Sequence, residues 1–252
     1  MDERLKKINI GTSGWHYKHW QGNFYPAGLK TAEHFEYYLK HFDTVEINNS
    51  FYRLPTKETF RSWRENSPAD FIYVVKANRF ITHMKKLKEP AESIARFMDH
   101  VTELKEKLGP ILFQLPPGWN INIERFEEFL AKLPKQYRYA FEFRNGTWYD
   151  KTIYDLLIQY NCAFCIYELA GHTTPVITTA NFVYLRLHGP GDNKYQGSYS
   201  NEALQDWAKQ CVEWSRDKEV FVYFDNDEAG YAAFNALKLR ELVAEATSTL
   251  IL

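Results

Sequence analysis

The chain has 252 residues, 45% of them hydrophobic and 25% charged, with a formal net charge of −1; this is ordinary globular composition without a global field for nucleic acid or an anionic membrane. Three cysteines, an odd number, do not make a disulfide framework, and no uncharged apolar run approaches the length of a membrane span. MDERLKKINI carries no apolar leader region, so a cytoplasmic protein is the expectation, and the high aromatic share of 17% asks for a role.

Short runs of β-branched and aromatic residues alternate along the chain with segments of helical period. INIGTSGW (8 to 15) is followed by the helical TAEHFEYYLKHF, and TVEINNSFY (44 to 52) by TKETFRSWREN with Thr56 as its cap. FIYVVKAN (71 to 78) precedes EPAESIARFMDHVTELKEKL, PILFQLP (110 to 116) precedes NIERFEEFLAKL, and YRYAFEFR (137 to 144) precedes DKTIYDLLIQY. After CAFCIYE (162 to 168) comes LAGHTTPVITTAN, too short and too rich in Thr, Gly and Pro for a full helix. FVYLRLHG (182 to 189) leads to NEALQDWAKQCVEWSRD, where Asn201 before Glu202 reads as a cap, and EVFVYFDND (219 to 227) leads to EAGYAAFNALKLRELVAEA.

Eight strand and helix units in this length predict a (β/α)8 TIM barrel as one domain, residues 1–252 with the barrel over roughly 8–246, and a missing or rudimentary helix after the sixth strand. A doubly wound sheet would want a glycine-rich phosphate loop after its first strand. GTSGWHYKHW has bulky residues where that loop needs close backbone approach.

In a barrel both faces of a strand are buried, one under the helices and one in the interior, so a polar parity must point inward. Val45 and Ile47 occupy one parity of the second strand, while Glu46 and Asn48 occupy the other. The same test gives Lys76 and Asn78, Gln114, Glu142 and Arg144, Arg186 and His188, and Asp225 with Asp227 on later strands, joined by Ser13 and Trp15 from the first. All lie toward the C-terminal ends of their strands, where barrel enzymes build their active sites. A structural plug of neutralising charges is the competing account, but buried ion pairs add little stability for what they cost.

Lys76, Arg144, Arg186 and His188 against several carboxylates suit an anionic or polyhydroxylated ligand gripped by arginine forks. Glu46, Glu142, Lys76 and His188 are the candidate catalytic groups. Ser13, Trp15, Asn48, Tyr52, Gln114, Arg144, Arg186, Tyr195, Asn226 and Asp227 are candidate binding residues. The loops at these strand ends are aromatic, with Trp20, Phe24, Tyr25, Trp119 and Trp148 among them, and such rings either stack on sugars and bases or pack as anchors. HGPGDNKYQGSYS (188 to 200) has the glycines of a closing or anion-holding loop.

No metal ligands are assigned and no cofactor is required. A carboxylate-held Mg²⁺ or Mn²⁺ is compatible with the acidic strand ends, whereas a multi-histidine zinc cluster is not, because only His188 of eight histidines lies on a strand. His34, His41 and His100 fall on helices and read as exposed, and His83 reads as loop. Cys162 and Cys165 read as core residues in an apolar strand.

GTSGWHYKHWQGNFYP, TVEINNSFYRLP, VKANRFITH, LGPILFQLPP, FEFRNGTW, YLRLHG with its Tyr-rich loop, and YFDNDEAGYAAFNALKL together resemble the YecE-like family, a domain of unknown function. The resemblance spans residues 10 to 239 and implies a TIM barrel with the shared polar motifs at its mouth: Glu46, Asn48, Lys76, Gln114, Glu142, Arg144, Arg186, His188, Asn226 and Asp227. It supplies no reaction. Where the family has two asparagines before the final Asp, this chain has Asp225 then Asn226. The expected function is an enzyme with acid/base carboxylates and an arginine/lysine clamp on a small anionic or sugar-like substrate, phosphorylated or not. The alternatives are a nucleic-acid-binding or phosphodiester-processing protein, with Arg53, Arg79, Lys85, Lys86 and Lys88 along the backbone, and a non-catalytic ligand-binding barrel.

Overall fold

The computed structural model describes residues 5–250. Its first half runs β1 (Ile8–Thr12), α1 (His34–Leu39), β2 (Thr44–Ile47), α2 (Lys57–Glu65), β3 (Ile72–Lys76), α3 (Pro90–Val101), β4 (Leu108–Leu115) and α4 (Ile123–Lys132). The second half runs β5 (Tyr139–Phe143), α5 (Lys151–Gln159), β6 (Ala163–Leu169), a two-residue β7 (His172–Thr173), β8 (Phe182–Leu187), α6 (Asn201–Ser215), β9 (Glu219–Phe224) and α7 (Tyr231–Leu250). β7 aside, the strands are the eight of a (β/α)8 barrel, in the sheet order β1-β9-β8-β6-β5-β4-β3-β2. After β6 an antiparallel hairpin replaces the helix, Glu168 facing Thr173 and Leu169 facing His172. Among the described residues no helix is long and apolar enough to cross a membrane.

The chain divides into two compact units. One comprises the residues up to Val45, Ile166–Val176 and Asn181 onward; the other comprises Glu46–Cys165 and Ile177–Ala180. In the first unit β1 and β9 pair in parallel from Ile8 opposite Val220 to Thr12 opposite Phe224, and β8 lies on the other side of β9. Gly11 is required here, because a Cβ would fall 2.5 Å from the Thr44 carbonyl oxygen. Buried hydroxyls stitch the strands together: Tyr38 donates to the Thr44 carbonyl (3.0 Å) and meets Thr12 Oγ1 (3.0 Å), and Thr44 Oγ1 meets the Tyr223 hydroxyl (2.6 Å). Paired in this way, buried polar groups cost little. The aromatic residues after β1 pack into the fold: Trp20, Phe24 and Tyr25 are buried, and Tyr25 stacks on His34 with centroids 4.0 Å apart.

The second unit holds β3, β4, β5 and the start of β6 with helices α2 to α5. Its core is an aromatic stack in which Phe113, Phe126, Phe129, Phe141, Phe143 and Trp148 meet at centroid distances of 5.0 to 6.3 Å. Trp148 also donates its indole N–H to the Trp119 carbonyl at 2.7 Å. The high aromatic content is thus largely core, each ring burying a large apolar area. The cysteines are core too: all three are buried, and burial pushes the Cys162 thiol up to about 12.

Three expectations need correction. The strands stop sooner than their apolar runs suggest, at Thr12, Ile47, Leu187 and Phe224, so Ser13, Asn48, His188, Asn226 and Asp227 sit just past a strand end. After Ile47 the chain coils into a 3-10 turn over Asn49–Phe51 because Ser50 donates from Oγ to the Ile47 carbonyl (3.0 Å) and to the Lys76 carbonyl (2.6 Å). The cap of α6 is Ser200, whose Oγ accepts from Ala203 N at 3.2 Å, and Asn201 is already helical; Thr56 does cap α2. His34 is buried rather than exposed, and burial together with His16 lowers its pKa. His100 is half-buried, bound to the Pro55 carbonyl at 2.9 Å.

Candidate functional site

In the second unit the inward parity of β2, β3 and β5 carries Glu46, Lys76 and Glu142, all buried. Parallel pairing sets Glu142 opposite Gln114 and Lys76 opposite Leu112, so the polar positions fall at the C-terminal ends of adjacent strands. Arg144 donates from Nε to Glu142 Oε1, forming an ion pair whose carboxylate is fully buried. Lys76 places Nζ 4.5 Å from the centroid of Phe51, a cation over an aromatic face. Asn48 follows on β2's exit, and its side-chain oxygen is buried without a hydrogen-bond donor among the described residues. That is a group which gains from a ligand hydroxyl or amine.

This unit also contains a residue that sequence reasoning passed over. Phe80–Met84 forms a π-helical turn after β3, and it brings His83 against Phe51 (centroids 4.9 Å) with Nδ1 at 2.9 Å from Thr82 Oγ1. Burial lowers the His83 pKa, Lys76 and Arg79 lower it further, Glu142 acts in the opposite sense, and Arg144 adds to the lowering. Lys76, His83, Glu142 and Arg144 therefore form one electrostatically coupled group. No alternation of residue type betrays His83 in NRFITHMKKL; the signal that reaches it is the motif VKANRFITH, whose last residue it is.

In the first unit the buried guanidinium of Arg186 is the hub. Its Nη2 donates to Ser13 Oγ (3.0 Å) and to Asp225 Oδ2 (3.1 Å), and its Nη1 stands 3.2 Å from His188 Nε2. His188 Nδ1 lies 3.1 Å from the same Asp225 oxygen, and the ring sits edge-on to Tyr167 and Tyr195. Asp227 accepts from Trp20 Nε1 (2.7 Å) and meets His19 Nε2 (2.8 Å). Its pKa is raised to about 6, chiefly by burial, with Asp225 adding repulsion while Trp20 and His19 act against the rise. Asn226 donates to the Gly197 carbonyl (2.9 Å) and to Asn235 Oδ1 (2.8 Å), which ties the 189–200 loop to α7. Its own oxygen is buried with no donor among the described residues.

The remaining candidates are less enclosed. Trp15 is half-buried with its ring 4.9 Å from Phe35, and Tyr195, at φ 66°, is exposed on its loop. Tyr52 points outward with 67% of its surface exposed. Glu168 was passed over as well: burial raises its pKa, and it accepts from Trp207 Nε1 at 3.3 Å. Among the described residues no three His, Cys, Asp or Glu side chains gather as a metal site.

Comparison with known proteins agrees with the motifs. The family model described as "Protein of unknown function DUF72" matches residues 9–251. UPF0759 protein YunF of Bacillus subtilis is 26% identical over 273 residues, covering 94% of each chain. UPF0759 protein YecE of Escherichia coli is 28% identical over 145 residues, 57% of this chain and 51% of that one. The crystal structure of a DUF72 family protein from Thermotoga maritima superposes with a TM-score of 0.85 at 30% identity, over 94% of this chain and 99% of that one. A second DUF72 structure, from Enterococcus faecalis, gives a TM-score of 0.80 at 19% identity over 94% and 95% of the two chains, a likeness of fold.

Proposed function

The chain belongs to the DUF72 family, and from that premise we propose that it is an enzyme moving protons on a small anionic or polyhydroxylated substrate. The observation that carries this reading is the coupled group Lys76, His83, Glu142 and Arg144, with Glu142 fully buried beside Arg144. Burying such charges costs several kcal/mol per ion as an order of magnitude, and packed apolar residues would hold the strands as well. A working site explains the expense. The lowered pKa of His83 keeps its imidazole neutral near pH 7 and so able to accept a proton.

In this proposal Lys76 and Arg144 attract and orient the anion, Asn48 accepts from a substrate hydroxyl, and His83 and Glu142 exchange the proton. His188 orients Arg186, since both of its ring nitrogens face protein groups. For the nucleic-acid alternative, Trp20, Tyr25, Trp119 and Trp148 are buried and offer no stacking face, which leaves the exposed Tyr52 and Phe80 as the strand-end rings a base could meet.

The test is thermal unfolding of wild type and Glu142→Gln with a panel of carboxylates, sugar phosphates and polyols. A substrate-class ligand at a hundredfold its Kd adds about 2.7 kcal/mol to wild type. The proposal expects one class to raise the melting temperature of wild type and to lose that effect in Glu142→Gln while the variant stays folded. A variant that only melts lower, with no class shifting either protein, would make the charges a structural plug.

A further inference from the structure

The segment after β3 departs from regular backbone twice in ten residues. Phe80–Met84 is a π-helical turn, and Lys86, Leu87 and Glu89 hold φ of 48°, 62° and 47°, left-handed values that only glycine adopts freely. Such backbone persists where the surroundings fix it, and it gathers at ligand sites. Here it walls a cleft of about 650 Å³, the size of a small-molecule site, between the Tyr52–Leu54 stretch and α3. The lining lies wholly within the second unit, and none of Lys76, His83, Glu142 or Arg144 belongs to it.

Arg53, Lys85 and Arg96 line this cleft against a single carboxylate, Glu92. Lys85 is held by Glu89 at 3.0 Å, whereas neither Arg53 nor Arg96 forms an ion pair with any described residue. At the same place two large rings face solvent, Tyr52 at 67% and Phe80 at 44% exposure. Each has a cation beside it: the Arg79 guanidinium lies 5.8 Å from the Tyr52 centroid, and Lys85 Nζ lies 5.5 Å from that of Phe80. Free arginines next to flat exposed rings present two recognition surfaces at once. A sugar phosphate would use the cations and leave the rings idle, and an apolar ligand would do the reverse.

We propose that this cleft binds a nucleoside phosphate, with the phosphate on Arg53 and Arg96 and the base against Tyr52 or Phe80. The hydroxyl of Ser93, also in the lining, is placed for the ribose or phosphate. The inference is independent of the acid/base reading.

Calorimetric titration of the full chain tests it, using adenosine monophosphate, uridine monophosphate, adenosine, ribose 5-phosphate and a single-stranded oligonucleotide. Both monophosphates should bind at least about tenfold more tightly than adenosine or ribose 5-phosphate. Arg53→Glu and Arg96→Glu, exposed and on different elements, should each weaken the monophosphates by about tenfold or more at unchanged melting temperature. Tyr52→Ala or Phe80→Ala should cost about fivefold or more. Glu142→Gln should bind as wild type does, which separates this cleft from the buried cluster. Ribose 5-phosphate binding Glu142→Gln as tightly as the monophosphates do, or no binding of either monophosphate, would overturn the proposal. So would an oligonucleotide that binds far more tightly than the monophosphates with a steep salt dependence, the signature of a nucleic-acid track.

Discussion

Arg186 stands with Nη1 3.2 Å from His188 Nε2, and a guanidinium has hydrogens only to give. His188 must therefore accept at Nε2, which leaves the neutral ring's proton on Nδ1, 3.1 Å from Asp225 Oδ2 but not aligned for a hydrogen bond to it. One arginine thus sets the tautomer of a histidine two residues along the same chain exit, while its other nitrogen serves Ser13 and Asp225.

Removing the hub should be expensive. Arg186→Met leaves Asp225 enclosed without its cation, and loss of one partner from a buried pair costs about 3–5 kcal/mol. Urea unfolding should show the midpoint falling with m unchanged, and Ser13→Ala should lose only about 1 kcal/mol, one hydrogen bond. Equal losses in the two variants would contradict the hub.

The Asp227 carboxyl sets a pH dependence. Its ordinary pKa of 3.8 is raised to about 6 by burial, so the folded state holds a proton that the unfolded chain has released. Stability from this group is fully present below pH 3.8 and declines as pH rises to about 6, then stays at its lower level. The swing is about 3 kcal/mol as an upper figure. Asp227→Asn should abolish this decline between pH 4 and 6, seen as a converging difference in unfolding free energy as pH falls. A parallel offset at all pH values would assign the effect elsewhere.

His83 allows a test that needs no substrate. Lys76 lowers its pKa and Glu142 raises it, so Lys76→Met should move the His83 titration upward and Glu142→Gln should move it downward. Ring-proton NMR against pH reads both shifts. If neither variant moves His83, the coupled group is not coupled and the acid/base proposal loses its base.

At the start of α6 the choice between two adjacent residues is measurable. Ser200→Ala should cost about 1 kcal/mol, because Ser200 Oγ accepts from Ala203 N, while Asn201→Ala should stay within about 0.5 kcal/mol. Thermal unfolding distinguishes them.

Much of this arrangement is legible in the sequence because strands and helices leave different periods, and a barrel strand with one polar parity has nowhere to hide it but the interior. Glu46, Lys76, Glu142, Arg186 and Asp225 are buried at strand ends as that parity requires. The rule fails where periodicity ends. His83 rides on a π-helical turn, His19 reaches Asp227 from a 3-10 turn (Lys18–Trp20) far away in sequence, and Tyr52 turns outward because Ser50 bends the chain just past β2. Side-chain to backbone bonds of that kind are local choices among near-equal conformations. The Ser200 cap lay one residue from the expected one for the same reason.

The stretch that replaces the helix after β6 gives the strand a different kind of neighbour. Thr179 accepts from Phe164 N (2.7 Å) and donates to the Cys162 carbonyl (2.7 Å), and Thr174 Oγ1 accepts from Tyr167 N at 3.0 Å. Along this edge hydroxyls do the work of a backbone ladder. The strand's solvent-exchange protection therefore depends on side-chain identity, so that a change as small as Thr179→Val, nearly identical in shape, should expose the Phe164 amide to deuterium while its fellows on β5 keep theirs.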